Sequence, residues 1–184
     1  MLMNNITTER LFLNEITEED FDFLFRIDSI PECDEYNTLG IPDSVKTTKN
    51  IYMPVILNRY NKKRKYYCWT IAVKTGEKIG MAGLTDSTDR FKIGEIYYKI
   101  NPVYWNKGYG TEVSKGLIRF GFESLKLHRV EAGVATENKA SVRVLEKSGM
   151  KREGLHTKIL PIRGEWKDNY HYAIVEEDYF KPII

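Results

Sequence analysis

The sequence predicts a mixed α/β fold: one central, mostly antiparallel sheet with helices on both faces, in a single domain over residues 1–184. Three observations predict it. Strand-like runs crowd residues 66–100 with only short turns between them, as in an antiparallel meander. A strand-like run at 128–136 is separated from that meander by a helical pattern, which makes a strand–helix–strand crossover across 94–136. The length is right for one domain with a real core and short for two, and no repeat, low-complexity tract or Pro/Gly/Ser linker divides it.

The elements follow in order. RLFLNEI (10–16) alternates as a first strand. Thr17 is placed to cap a helix whose first turn is acidic and whose stripe is Phe21, Leu24 and Phe25. Residues 31–43, PECDEYNTLGIPD, read as a loop. Ser44 opens a second helix reaching about Tyr60, with Pro54 predicted to kink or break it. The four basic residues Lys62 to Lys65 read either as a solvated loop or as a phosphate contact. YYCWTIAVK (66–74), KIGMAGLTDS (78–87) and RFKIGEIYYKI (90–100) are β-branched or aromatic and form the meander. A helix runs from about Gly110 to Ser124, with Val113, Leu117 and Phe120 in one apolar row and Ile118, Phe122 and Leu125 in another. HRVEAGVAT (128–136) is the next strand. Asn138 then caps a helix that Gly149 stops. Two last strands surround a turn near Arg163–Gly164.

Composition excludes several classes. There are 28 Lys and Arg against 26 Asp and Glu, so the net charge of +2 does not suit a dedicated nucleic-acid binder. No run approaches the roughly 20 apolar residues of a membrane span. The start MLMNNITTERLFL lacks the basic and apolar regions of a signal peptide. Of the two cysteines, Cys68 lies in an apolar run and reads as a core residue, and no Cys/His cluster has metal-ligand spacing. The expectation is a reduced, cytoplasmic protein without a metal.

The stretch YWNKGYGTE (104–112) stands between a strand and a helix. Glycine lets main-chain N–H groups approach a ligand closely. A helix start leaves several N–H groups unpaired, with the positive end of the helix dipole behind them. Lys107 adds a charge and Thr111 a hydroxyl, so Asn106–Thr111 is a candidate anion cradle. By itself the pattern is more often a plain tight turn. It is neither a G-x-x-x-x-G-K-[ST] loop nor a dinucleotide fingerprint, which removes support for nucleotide hydrolysis and hydride transfer.

GEIYYKINPVYWNKGYGTE (94–112), HRVEAGVATENKASVRVLEKSGMKREG (128–154) and RGEWKDNYHYAI (163–174), with the earlier TERLFLNEITEEDFDFLF, together resemble the GNAT N-acetyltransferase superfamily. Within it they resemble the branch that acetylates the N-termini of ribosomal proteins, and the likeness covers nearly the whole chain. The superfamily loop is Gln/Arg-x-x-Gly-x-Gly/Ala, and Trp105 stands here at the Gln/Arg position.

The resemblance implies a GNAT-like fold and acetyl-CoA as co-substrate. Asn106, Lys107, Gly108, Tyr109, Gly110 and Thr111 would wrap the pyrophosphate. The pantetheine arm would lie between the strands ending at Ile100 and near Thr136, held by the backbone of Tyr98, Lys99 and Ile100 and by Asn138. An amine must be neutral to attack. An α-amino group of pKa about 8 is partly so, unlike a lysine near 10.4. Alternation places Glu95, Tyr97 and Lys99 on one face, which makes Glu95 the candidate base, acting through water; a surface carboxylate paired with a lysine is the other reading. Ser141 or a tyrosine would protonate the leaving thiolate. His128, His156 and His171 read as structural. Tyr36, Trp69, Tyr104, Trp105 and Trp166 are candidate cleft residues, with Tyr36 and Trp166 chosen for the acceptor. Loop 31–43 and turn 161–168 flank the cleft in the family, and the acidic ECDE segment is suited to a cationic acceptor. The acceptor reads first as a protein N-terminal amine, attacked in a ternary complex. The alternatives are a small amine (polyamine, aminoglycoside or amino acid) and a non-catalytic acyl-CoA-binding module. The resemblance also admits a homodimer.

Overall fold

The alternating runs of residues 66–100 fold as the meander they imply. A computed structural model describes residues 4–87 and 89–181. In chain order the elements are β1 (Ile6–Thr7), β2 (Leu11–Glu15), α1 (Phe21–Asp28), α2 (Pro31–Asp34), α3 (Val45–Asn58), β3 (Tyr66–Val73), β4 (Lys78–Asp86), β5 (Ile93–Ile100), α4 (Tyr109–Arg119), β6 (Arg129–Ala135), α5 (Lys139–Lys147), β7 (Lys151–Ile162), β8 (Glu165–Val175) and α6 (Glu176–Tyr179). All eight strands form one sheet in the order β1-β2-β3-β4-β5-β6-β8-β7. The neighbours pair antiparallel except β5 and β6, the two ends of the crossover, which run parallel.

Alternation sorts the sheet's side chains into two cores. Tyr67, Trp69 and Ile71 of β3 join Ile96 and Ile100 of β5 and Val130 of β6 under α4 and α5, whereas Cys68 and Met81 face the opposite side with Leu24, Ile27, Tyr52 and Ile56 of α1 and α3. Helices therefore cover both faces. α4 is too short to be stable alone. Its fully buried Val113 and Leu117 hold it to the sheet, each side chain contributing about 1.5–3 kcal/mol.

The helix starts are largely the anticipated ones. Asp20 accepts the Thr17 backbone N–H (2.8 Å) and closes a capping box. Ser44 Oγ accepts the Thr47 N–H at 3.2 Å, and α3 continues through Pro54 rather than breaking there. Gly149, at φ +90°, follows the end of α5 as anticipated. Several features add to or differ from the sequence reading. Pro31 starts a helical turn, α2, inside the expected loop. β1 and α6 were not anticipated. α4 ends in a π turn, Phe120–Ser124, where the Leu125 N–H reaches the Phe120 carbonyl (3.1 Å). The basic run is exposed at Lys62, Lys63 and Lys65, as its solvated-loop reading has it, and none of its residues lines the cleft. Arg64 is buried against Glu15 (2.6 Å), which also meets Arg59 (3.4 Å), and its guanidinium lies over Tyr67. No helix among the described residues is long and apolar enough to cross a membrane.

Candidate active site

β5 and β6 pair only at Ile93–Arg129, Gly94–Val130 and Glu95–Glu131. Beyond that point β5 stays on β4 as far as Ile100 and β6 stays on β8 as far as Ala135. The two facing edges therefore splay, and their backbone groups lack each other as partners. A buried strand edge left this way needs a polar occupant. The gap opens into a cleft of about 1050 Å³ bounded by β5, β6, α5, the loop before α4, and the α2 region.

At the head of the gap stands the cradle. Gly108 caps α4 in the left-handed region, φ +81°, with no side chain satisfying the helix start. The first helical bond of α4 runs from the Glu112 N–H to the Gly108 carbonyl (3.1 Å). The amides of Tyr109, Gly110 and Thr111 precede it and have no acceptor within the helix. These amides with the dipole behind them suit a diphosphate. A Cβ on Gly110 would stand 3.3 Å from Val144 and 3.4 Å from the Tyr98 ring, so this glycine permits close packing of α4, α5 and β5. Trp105 closes the loop onto the sheet, its indole Nε1 donating to the Ile100 carbonyl at 2.7 Å. The indole thus does at the Gln/Arg position a job of internal bracing.

Two groups of residues at the cradle escaped the sequence reading. Arg10 donates to the Lys107 carbonyl (2.9 Å) and to Glu112 (2.7 Å), and Thr8 donates to the same carboxylate (2.6 Å). Nothing in the linear sequence links residues that far apart. The second group is Lys139, Arg143 and Lys147 of α5, which line the cleft at every fourth position. That periodicity was readable and puts three cations on one helix face.

Of the predicted cofactor residues, Tyr98, Lys99, Ile100, Asn106, Gly108, Tyr109, Gly110, Thr111 and Asn138 line the cleft. Lys107 does not line the cleft: its carbonyl accepts from Arg10 and its ammonium lies over the Tyr104 ring (4.9 Å). The Lys99 ammonium is likewise committed, to Asp28 (2.5 Å), which also accepts the Tyr52 hydroxyl (2.8 Å). Asn138 Oδ1 caps α5 through the Ser141 N–H (3.0 Å), which leaves its amide NH₂ for a ligand. Ser141 Oγ is 3.5 Å from the Tyr98 hydroxyl, across the gap between β5 and α5. Burial raises the Tyr98 phenol's pKa, so it stays a proton donor.

Glu95 lines the cleft at the last ladder position before the strands part. Its pKa is raised, first by desolvation and then by the Glu131 charge, with His171 opposing. Tyr97, on the same face, lies over Gly83, where a Cβ would meet its ring at 2.1 Å. Histidines 156 and 171, read from sequence as structural, both line the cleft, stacked 5.5 Å apart. His128 is outside it, 3.0 Å from Glu176.

Among the aromatic candidates Tyr36, Tyr104 and Trp105 line the cleft. Trp69 does not: it is fully buried and donates to the Asn4 carbonyl. Trp166 does not either, being 59% exposed near the tip of the β7–β8 hairpin. Alternation gives the face of a strand but not how far along it the cleft extends. Much of the 31–43 segment lines the cleft, including Glu32, Cys33, Glu35 and Tyr36. Desolvation pushes the Cys33 thiol up to about 11, and it donates to the Ile100 carbonyl (3.4 Å). Turn 161–168 borders a smaller neighbouring cavity, where Arg163 approaches Asp34 (3.6 Å).

Comparison with known proteins gives concordant matches. Residues 10–151 match the family described as acetyltransferase (GNAT) domain. An uncharacterized N-acetyltransferase of Bacillus subtilis, YnaD, is 33% identical over 95% of this chain and 99% of its own. The crystal structure of a GNAT-family acetyltransferase from Bacillus anthracis superposes with a TM-score of 0.80 at 30% identity, covering 94% of this chain and 99% of that one. Spermidine N-acetyltransferase from Vibrio cholerae, solved with CoA and spermine, gives a TM-score of 0.83 at 20% identity, over 93% of this chain and 98% of that one. That last likeness is one of fold.

Proposed function

The chain belongs to the acetyltransferase (GNAT) domain family and is an acetyl-CoA-dependent N-acetyltransferase, and we propose that it acetylates the α-amino group at a protein N-terminus by direct attack in a ternary complex. The observation that carries the reading is the splayed β5–β6 pair, with the bare amides of α4 at its head and Glu95 at its root.

The residues fit acetyl-CoA. The amides of residues 109–111 would take the pyrophosphate, with the basic face of α5 beside them, and the open strand edges would take the pantetheine arm. Bound there, acetyl-CoA supplies an acyl carbon carrying a thiol leaving group whose pKa is about 8.5. Glu95, through water, takes the proton from the acceptor nitrogen. Tyr98 and Ser141 stand at the far side of the gap to return a proton to sulfur. A carboxylate is a weak base even when its pKa is raised, which suits an α-amine that is already partly neutral. Replacing Glu95 by Gln should slow turnover by about 10²–10⁴-fold with CoA affinity unchanged. Activity would then rise only as the amine itself loses its proton, near pH 8.

A second reading is a polyamine or another cationic small amine, favoured by the carboxylates of Glu32, Glu35 and Glu137 at the cleft rim. An acceptor panel followed by thiol release separates the two. A Ser- or Ala-initial peptide should release CoA, and the same peptide with a blocked N-terminus should not. Release with spermidine alone would replace the first reading by the second. Tight CoA binding with release from neither would overturn both acceptor readings.

A further inference from the structure

Glu95 and Glu131 are cross-strand partners at the last rung of the β5–β6 ladder, so their side chains share one face of the sheet, and Glu95 lines the cleft there. Glu131 pairs with Ala173 of β8, and His171 stands two residues along, hence on that face as well. The His171 ring nitrogen Nε2 lies 3.4 Å from Glu131 Oε1, and Arg129 Nε holds the same oxygen at 2.5 Å. His171 is flanked in the sheet by Gly133 on β6 and Gly154 on β7, so no side chain crowds it at either register position. Glu95 and His171 line the cleft, and the reaction described above uses Glu95 but neither Glu131 nor His171.

We propose that Glu131 and His171 are positioning residues that act on the transfer reaction through Glu95, with opposite signs: Glu131 favours its protonated form and His171 favours its ionised form. The inference rests on Glu95 as base. Two carboxylates on neighbouring strands resist ionising together, and an imidazolium beside them relieves that. The causes acting on Glu95 agree, with Glu131 raising its pKa and His171 lowering it. Other charged or titratable groups stand on the neighbouring strands. On β6 Arg129 binds both Glu131 and Glu153 of β7. On β5 Lys99 is held by Asp28 of α1, and Tyr97 lies over Gly83. On β7 His156 stacks on His171, and on β4 the residue opposite Glu95 is Thr85, with Asp86 next to it.

The test is a carboxyl-carbon NMR titration of Glu95 in the wild type, E131Q and H171Q, run beside pH profiles of kcat/KM. E131Q should move the Glu95 titration down and H171Q should move it up, each by about half a pH unit or more, and the acidic limb of kcat/KM should move with it. Shifts of the same sign, or none, would overturn the proposal. If H171Q does not fold, E131Q decides: a downward shift supports the pairing and an unmoved titration ends it. E95Q separates this inference from the base assignment. A limb that survives E95Q refutes Glu95 as base whatever the titrations show, whereas a limb lost in E95Q with unmoved titrations refutes only the roles of Glu131 and His171.

Discussion

Gly108 is held at φ +81°, where an L-residue is strained, and a Cβ there would come within 3.3 Å of Arg10 Nη2. Valine would add β-branching at a backbone angle that costs such residues about 1–3 kcal/mol. The loop would escape that strain by moving its amides. Gly108→Val should therefore weaken CoA binding roughly 10–100-fold in a calorimetric titration, and an unchanged Kd would remove the loop as the phosphate site. The position of this glycine, at positive φ where a loop opens a helix, was legible in the sequence because its reason is local. The place of His171 on the cleft was not. Period-2 alternation assigned it a face, and nothing local said that the face was the cleft. Trp105 lies between these cases. Its place in the loop was readable, while the Ile100 carbonyl that its indole satisfies depends on how the loop folds back.

At the scale of elements, α4 carries the cradle and is itself pinned by the β1–β2 corner. Glu112, in the first turn of α4, accepts from the Thr8 hydroxyl and from both the backbone and the guanidinium of Arg10, which in turn holds the Lys107 carbonyl. Burial alone would raise the Glu112 pKa; the Thr8 and Arg10 hydrogen bonds outweigh it and hold it below the usual glutamate range. The sign follows. The clamp is complete above the ordinary glutamate pKa and is lost as pH falls through the lowered value. Arg10 is about half exposed, so Glu112→Ala should cost about 1–2 kcal/mol, read in a denaturant titration. It should also weaken CoA binding without touching any phosphate contact. Loss of stability with CoA affinity intact would show that the corner supports the helix but not the loop. Helices and strands were read well wherever caps and alternation are strong, as at Ser44, Asn138 and residues 66–100. α2 was missed because Pro31 suggests a turn and four residues carry no periodicity. β1, at two residues, exists only through its pairing with β2.

Across the whole molecule the sheet is two blocks, β1–β5 and β6–β8, joined by three ladder positions and the α4 crossover. A ligand arm lying in the gap would supply the missing rungs. Saturating CoA at about 100 times its Kd should then add about 2.7 kcal/mol to the unfolding free energy, visible as a rise in Tm. Amide exchange should slow at residues 96–100 and 132–135 more than in β2 or β3. Protection confined to the cradle would mean that the arm lies elsewhere. The crossover was legible as strand, helix, strand; the parting of its strands came only from the family resemblance, because pairing partners are set by β4 and β8 rather than by the two strands themselves. The placement of the three tryptophans has a practical outcome. Trp69 is sealed in the core, Trp166 is exposed and does not line the cleft, and Trp105 is 43% exposed on the cleft wall. Occupancy of the cleft should therefore alter the environment of one indole out of three, so the unlabelled chain carries its own fluorescent reporter, and the Trp105→Phe variant is the blank against which that signal can be read.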